Sequence, residues 1–326
     1  MKQLGLADRA IEAAWPTWWS VESETSTSAQ AELRFGVARR LGLDPSSLLA
    51  DDQEPRFAWR EEARFKHLTS EDAVERDGIA SFGRAVASAM AEAVPHPEID
   101  ITGRPALELR EELLISGKLF VGLDTLLALS WAAGIAVVHL RVFPWPQKRM
   151  AAMTVRVRDQ PFVLLAKDAI YPAWIAFYLA HELGHITLGH LTSDQTLVDL
   201  EAEGHRTDEE DEEEHEADAW ALELLTGHAN PTVLSADGTR SAAELARVAV
   251  SSGQALGIEP GTLALCFGYS TGDWGIANAS LERIYAKPFE VWRVVNDYAR
   301  MQLNLDNASA DAAEFVSDIL ELRTVD

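Results

Sequence analysis

The segment from His181 to His185, with the sequence HELGH, contains residue types that bind and use a divalent metal. Residues four apart in a helix lie one turn apart on the same face, so His181 and His185 can hold one zinc ion at about 2.0–2.1 Å each. Glu182 follows the first histidine and can act as a general base toward a water at the metal. The pattern predicts His181 and His185 as metal ligands and Glu182 as the catalytic residue. The alternative is two exposed histidines on a solvated helix face.

A catalytic zinc needs three protein ligands and one position open to solvent. Glu214 begins a second predicted helix and can complete a site of two histidines and one carboxylate. Asp218 lies four residues later on the same helix face and can accept the remaining N–H of a ligand histidine. Glu216 is the main rival to Glu214, although it projects about 200° around the helix from it. Weaker candidate ligands are His190, His205 and His215.

An HExxH segment joined by a carboxylate on a second helix is the arrangement that a zinc protease needs, so the pattern predicts hydrolysis of a peptide bond. This reaction also needs a donor that stabilises the negative oxygen formed on the scissile carbonyl. The sequence offers several candidates for this donor without ranking them. They are Tyr171, Tyr178, His205 and His228.

The charge of the chain limits the classes of partner. Lys and Arg total 28 and Asp and Glu total 52, which gives a net charge of −24. Residues 191–218 alone contain 13 acids and one base, Arg206, and residues 208–214 are seven consecutive acids. This sign repels nucleic acid and anionic membrane. We interpret the acidic run as a solvated loop that leads into the next helix; the alternative is a mobile loop that attracts cations or a basic substrate.

The remaining patterns predict mainly helices around a small sheet. The predicted elements are a strand at 135–143, a hairpin of strands 153–157 and 162–166, and helices at 71–94, 172–190 and 214–225, with two helices between 105 and 134. Residues 241–326 are predicted to be helical, with a glycine-rich interruption at 253–275.

The N-terminal region has the outline of a helix, a turn and a second helix. Leu33, Val37 and Leu41 recur at helical spacing, and Gly42 can end that helix. The outline is that of a helix-turn-helix, but the second helix, in residues 46–53, contains two aspartates and no base. These charges argue against direct DNA binding.

Nothing in the chain predicts export or membrane insertion. The N-terminus has no signal-peptide pattern, and the uncharged stretch Thr125–Val138 is shorter than the roughly 20 residues that span a bilayer. The single cysteine, Cys266, fits a reducing compartment. We expect a soluble, cytoplasmic protein.

Two segments resemble the ImmA/IrrE metallopeptidases: FYLAHELGHITLGH (Phe177–His190) and EHEADAWALELL (Glu214–Leu225). Weaker similarity extends the resemblance to roughly Leu107–Tyr285. It implies a zincin-like α+β core, mainly helical, with Zn²⁺ bound by His181, His185 and Glu214. Asp218 stands where many members have asparagine. The resemblance also implies intracellular cleavage of a regulatory protein, typically a transcriptional repressor.

On this basis we expect a helical N-terminal module at 1–95, a zinc metallopeptidase core at 96–240 and a C-terminal helical region at 241–326. Two other functions stay open at this point. One is a non-catalytic zinc module that senses or sequesters a regulator, in which a fourth protein ligand would close the metal site. The other is a DNA-binding regulator that uses residues 29–66.

Overall fold

The computed structural model describes residues 4–49, 53–59, 63–65, 73–145, 150–191, 196–200, 212–231, 241–288 and 290–322. Within these residues, helices predominate around one small mixed sheet. This arrangement confirms the expected fold class, α+β and mainly helical.

The elements fall into an N-terminal group of helices, a sheet and a C-terminal group of helices. The early helices are α1 (Asp8–Ala14), α2 (Thr27–Leu41), α3 (Pro45–Leu49), α4 (Ala73–Met90), α5 (Ala106–Ile115) and α6 (Leu123–Ala132). The strands are β1 (Ala63–Phe65), β2 (Ala136–His139), β3 (Met150–Val157), β4 (Gln160–Leu165) and β5 (Thr196–Leu200). The later helices are α7 (Pro172–Leu188), α8 (Glu212–Thr226), α9 (Ala242–Leu256), α10 (Pro260–Thr271), α11 (Trp274–Tyr285), α12 (Val291–Gln302) and α13 (Ala310–Ile319).

The sheet has the strand order β1-β5-β3-β4-β2. Strand β3 is antiparallel to both of its neighbours, whereas β2 is parallel to β4 and β1 is parallel to β5. The predicted hairpin is confirmed as β3 and β4. Its turn residues Arg158 and Asp159 have φ values of 49° and 67°, the positive values that a tight type I′ hairpin turn requires. Strands β1 and β5 were not predicted.

Helices cover both faces of the sheet, because successive strand side chains point to opposite faces. Phe162 and Leu164 belong to one buried cluster with side chains of α4, α12 and α13. Val163 and Leu165 belong to a second cluster with side chains of α6, α7 and α8. The first cluster also contains residues from α1 and α2, so it draws on all three expected domain ranges. The division at residues 95 and 240 stays a prediction.

The long apolar stretch between Leu119 and Leu140 forms helix α6 and strand β2. Gly134 separates them with a φ of 71°, as expected for a glycine at a helix end. None of the helices in the described part of the chain combines the length and the apolar character needed to cross a membrane.

The predicted helix-turn outline of the N-terminal region is confirmed by α2, which ends at Gly42, and α3. Arg40 of α2 is buried and donates hydrogen bonds to Asp311 and Glu314 at 2.6 and 2.9 Å. Arg39 also pairs with Asp311. Two of the three arginines of this helix are therefore engaged by α13, and the third, Arg34, donates to the Leu49 carbonyl at 3.3 Å. The aspartates of the expected second helix, at 51 and 52, lie outside the described residues.

The expected glycine-rich interruption at 253–275 is wrong. Gly253, Gly261 and Gly268 lie inside helices α9 and α10, and only short connections at Gly257 and Gly272 separate α9, α10 and α11. A Cβ at Gly268 would come within 2.8 Å of the Trp274 ring. A larger residue at this position would clash with the neighbouring helix. The glycines that predicted a loop therefore mark close contacts between helices.

Strand β2 lies at an edge of the sheet and is covered by Asn296 of α12. The side-chain amide of Asn296 donates to the carbonyl of His139, and its oxygen accepts from the His139 N–H, at 2.8 and 2.7 Å. The same amide nitrogen donates to the Leu320 carbonyl at 2.8 Å. The last residue of the edge strand is thus hydrogen-bonded by a side chain instead of by a further strand.

Arg110 of α5 joins the carboxyl ends of two helices. Its guanidinium donates to the carbonyls of Leu224 and Leu225 at the end of α8, at 3.1 and 2.8 Å. It also donates to the carbonyls of Leu256 and Gly257 at the end of α9, at 3.3 and 2.6 Å. Helix ends leave carbonyls unpaired and carry partial negative charge, so a buried cation with several donors satisfies both ends at once.

Replacing Arg110 with methionine, which keeps an apolar stem, should lower the free energy of unfolding by about 2–4 kcal/mol, because two buried and two partly buried carbonyls lose a charged donor. Urea denaturation measures the change. The control is Arg300→Met, which removes an exposed pair with Asp297 and should cost less than about 0.5 kcal/mol. Equal effects of the two substitutions would contradict the role assigned to Arg110.

Candidate metal centre

Helix α7 contains the HELGH segment. It begins at Pro172, a residue preorganised for the first turn, and ends at Gly189, which has a φ of 78°. His181, Glu182 and His185 are 5%, 0% and 0% exposed, so the alternative of two exposed histidines does not hold. The helix is buried between the sheet and α8, which explains why its apolar residues do not follow a single stripe.

Helices α7 and α8 pack closely against each other at Gly184. A Cβ on Gly184 would lie 3.0 Å from the carbonyl oxygen of Ala217 and 3.2 Å from its Cα. The glycine therefore lets the two backbones approach to a distance that a larger residue would oppose. This approach brings the first turns of α8 opposite the histidines of α7.

The structure brings together the three side chains predicted as metal ligands. One donor atom from each of His181, His185 and Glu214 lies within 4.8 Å of the others. The two Nε2 atoms are 3.0 Å apart, and Glu214 carboxylate oxygens lie 3.4 Å from Nε2 of His181 and 3.2 Å from Nε2 of His185. Donors at about 2.0–2.1 Å from one tetrahedral ion are separated by about 3.3–3.4 Å, so this group fits a metal ion.

Asp218 holds the far side of His181, as predicted for an outer partner. Nδ1 of His181 and Oδ1 of Asp218 are 2.8 Å apart. A carboxylate only accepts, so Nδ1 carries the proton and donates it to Asp218, and the Nε2 lone pair points toward the donor group. Asp218 thereby selects the tautomer of His181 that can bind a metal.

His185 is held in the same way, but through a second histidine. Its Nδ1 lies 2.8 Å from Nδ1 of His190, and Nε2 of His190 lies 3.1 Å from a carboxylate oxygen of Glu216. Glu216 accepts from Nε2–H of His190, so His190 Nδ1 is the acceptor for His185 Nδ1–H. His190 and Glu216 were considered as alternative ligands. The geometry instead places them behind His185, where they orient it.

The charges of the site favour a cation at the donor group. Burial by itself lowers the pKa of His181, but the hydrogen bonds with Asp218 and Glu214 favour the charged imidazole and raise the pKa to about 10. The carboxylates beside the buried His181 thus favour added positive charge at this point. A divalent ion supplies that charge at the point where the three donors meet.

Glu182 points toward the sheet side of α7, where Thr154 of β3 meets it. The Thr154 hydroxyl donates to Oε2 of Glu182 at 2.5 Å, and both residues are fully buried. The hydrogen bond fixes the carboxylate of the predicted general base. Sequence analysis missed Thr154; a threonine at a buried position of a mainly apolar strand is the signal that could have identified it.

The candidates for the oxyanion donor differ in how close they lie to the metal ligands along the helices. Tyr178 is on α7, one turn before His181, whereas Tyr171 precedes the helix and stacks on Tyr285 at 5.3 Å. His228 follows the far end of α8 and is exposed. Tyr178 is the nearest of the three. His205, a candidate both here and as a ligand, lies outside the described residues, as do residues 208–211 of the acidic run.

Replacing Asp218 with alanine should lower zinc affinity by about 10–100-fold, because His181 loses the acceptor that fixes its tautomer. A competitive zinc titration with a chromogenic chelator measures the affinity. Glu212→Ala is the matched control, since Glu212 lies in the first turn of the same helix, is exposed, and carries the same charge. A similar loss of affinity in both variants would show a general effect of charge and would contradict the orienting role.

Residues 128–267 match the family model of Peptidase U49. This range is less than half of the chain but contains α7, α8 and every side chain of the metal centre described above. No curated protein and no solved structure matched the chain. The match supports a peptidase and therefore a hydrolase that acts on peptide bonds; the resemblance to ImmA/IrrE metallopeptidases stays a prediction.

Proposed function

We propose that the protein is a zinc-dependent endopeptidase that cleaves a regulatory protein, such as a transcriptional repressor. One observation carries the proposal: two helices bring His181, His185 and Glu214 to spacings of 3.0–3.4 Å, beside a buried glutamate in the sequence order HExxH. The match to a peptidase family over the same residues supports it. The regulatory substrate rests on the resemblance of two segments to ImmA/IrrE peptidases.

Zinc is the metal that suits this donor set. Two imidazole nitrogens and one carboxylate oxygen form a ligand group typical of catalytic zinc. When bound, zinc would supply Lewis-acid activation of a water and of the scissile carbonyl.

The side chains of the chain itself supply the proton transfer. Glu182 would take a proton from the attacking water at a carboxylate oxygen and pass it to the departing amine nitrogen. Thr154 holds the carboxylate by its 2.5 Å hydrogen bond, so the base is oriented before substrate arrives. Burial of the site between α7, α8 and the sheet strengthens these electrostatic interactions.

The alternative of a non-catalytic zinc module predicts a fourth protein ligand. Among the described residues, the metal-ligating group contains three side chains. His190 lies behind His185, bound to its Nδ1, and His215 is exposed on α8. Neither favours a closed site, and the arrangement supports the enzyme.

A DNA-binding function draws no support from the N-terminal helices. Phosphate contacts need exposed arginine or lysine side chains. Of the three arginines of α2, Arg39 and Arg40 are paired with acidic residues of α13, and Arg34 donates to the Leu49 carbonyl. We therefore propose a protein partner and no direct contact with DNA.

Glu182→Gln should retain zinc and lose at least about 100-fold of the cleavage rate, because the amide cannot accept the proton. The measurement compares new protein N-termini in cells that express the parent or the Glu182→Gln variant. The proposal expects parent-specific termini in one or a few regulatory proteins, each then cleaved when purified. Equal cleavage by a zinc-loaded Glu182→Gln protein would refute the mechanism, and cleavage confined to non-regulatory proteins would refute the substrate class.

Thr154→Val should lower the turnover number about tenfold with little change in zinc affinity, since the isosteric side chain removes only the hydrogen bond to Glu182. Thr154→Ser keeps a hydroxyl and should restore most of the rate. The pH profile of turnover separates this role from a packing role. A carboxylate that loses a hydrogen-bond donor has a higher pKa, so the acidic limb of the Thr154→Val profile should move to higher pH. An unchanged profile in Thr154→Val would count against it.

A further inference from the structure

A large cavity opens beside the amino-terminal half of α7. Its volume is about 940 Å³, and it is bounded by α7, α10, α11 and the segment 167–171 that precedes α7. Ligand sites in proteins commonly have volumes of about 300–1,000 Å³. The cavity is thus large enough to hold a bulky side chain of a ligand.

Aromatic side chains form much of its wall. Six of them line it: Tyr171, Trp174, Phe177, Tyr178, Tyr269 and Trp274. The rings of Trp174 and Trp274 stack at 5.7 Å, which fixes their positions. Ile170, Tyr269 and Trp274 are 56%, 48% and 38% exposed at this cavity. A group of exposed apolar side chains around a concave surface is typical of a binding site.

The cavity lies one helix turn from the metal centre on both α7 and α8. Phe177 and Tyr178 are one turn before His181 on α7, and the Phe177 ring lies 6.4 Å from the His181 imidazole. On α8, the lining residue Leu222 is one turn beyond Asp218. A peptide bond at the metal centre would therefore place a neighbouring residue of the same peptide over this cavity.

The chemistry of the wall determines which side chain it would accept. An aliphatic or aromatic group would leave water and pack against aromatic rings, which is favourable. A charged group would lose hydration. The charged residues that line the cavity are Lys167, Asp168 and Glu282, and Asp168 is already paired with Arg141 at 2.8 Å.

We propose that this cavity is the specificity site of the peptidase, and that it binds an aromatic or large aliphatic side chain adjacent to the scissile bond of the substrate. This inference rests on the proposed function, since the metal centre positions the peptide. It assigns a substrate class, a protein segment with an exposed apolar residue next to the cleaved bond.

Amino-acid hydroxamates test the inference without knowledge of the natural substrate, because the chelating group is constant and only the side chain varies. The hydroxamates of phenylalanine, alanine and aspartate are titrated into zinc-loaded protein by calorimetry. Phenylalanine hydroxamate should bind at least roughly tenfold more tightly than alanine hydroxamate, and aspartate hydroxamate no more tightly than alanine hydroxamate.

Two substitutions outside the catalytic machinery connect this preference to the cavity. Ala279→Trp adds a ring at an exposed lining position of α11, and Trp274→Ala removes one wall. Each should reduce the phenylalanine-to-alanine affinity ratio by about fivefold or more, mainly through weaker binding of phenylalanine hydroxamate. The controls are Ala243→Trp on α9 and Trp18→Ala, which alter exposed residues outside the cavity and should leave the ratio unchanged.

The outcomes separate this inference from the proposed function. Equal affinity for all three hydroxamates, or an unchanged ratio in a folded Ala279→Trp protein, would overturn the specificity site and leave Glu182-dependent cleavage intact. Failure of every hydroxamate to bind a zinc-loaded protein would instead overturn the accessible metal position on which the proposed function depends.

Discussion

The close contact between α7 and α8 at Gly184 is the constraint on which the metal centre depends. The ligands come from two helices separated by more than twenty residues of chain, so their donor atoms converge only if the helix axes are near each other. The space of a missing Cβ beside the Ala217 carbonyl allows this approach. A glycine in a helix costs about 1 kcal/mol of helix stability relative to alanine. In α7 this loss accompanies the close approach of α8 that the metal centre requires.

The hydrogen bonds around the two histidines run outward from the donor group. Each Nδ1–H donates away from the centre, directly to Asp218 in one case and through His190 to Glu216 in the other. Both Nε2 atoms are thereby directed toward the point where an ion would bind. All three supporting side chains come from α8 or from the residues just after α7, so the same helix packing that converges the ligands also orients them.

The sequence predicted the parts of the site that depend on local spacing. The HExxH order, the pairing of Glu214 with Asp218 and the hairpin before α7 follow from helical and strand periods, and the structure places these residues as the periods require. The orienting role of His190 could not be predicted, because it depends on the chain turning at Gly189 and on an exposed glutamate reaching back from α8. Strand β5 was missed since it lies in an acidic segment and takes its place by pairing with β3, not by its own pattern. The glycines of α9 and α10 were misinterpreted because composition does not distinguish a turn from a close helix contact.

The amide of Asn296 has a consequence for how the sheet can associate. An uncovered edge strand is a template for a further strand, and peptide-recognition domains and aggregating proteins recruit an extended chain in this way. At the end of β2 the amide supplies one donor and one acceptor in the manner of an adjoining backbone, and it ties the strand to α12 and to the Leu320 carbonyl. An incoming polypeptide would have to displace the Asn296 amide from His139 before it could extend the sheet along the whole of β2, so addition of a strand is disfavoured at this end of the edge.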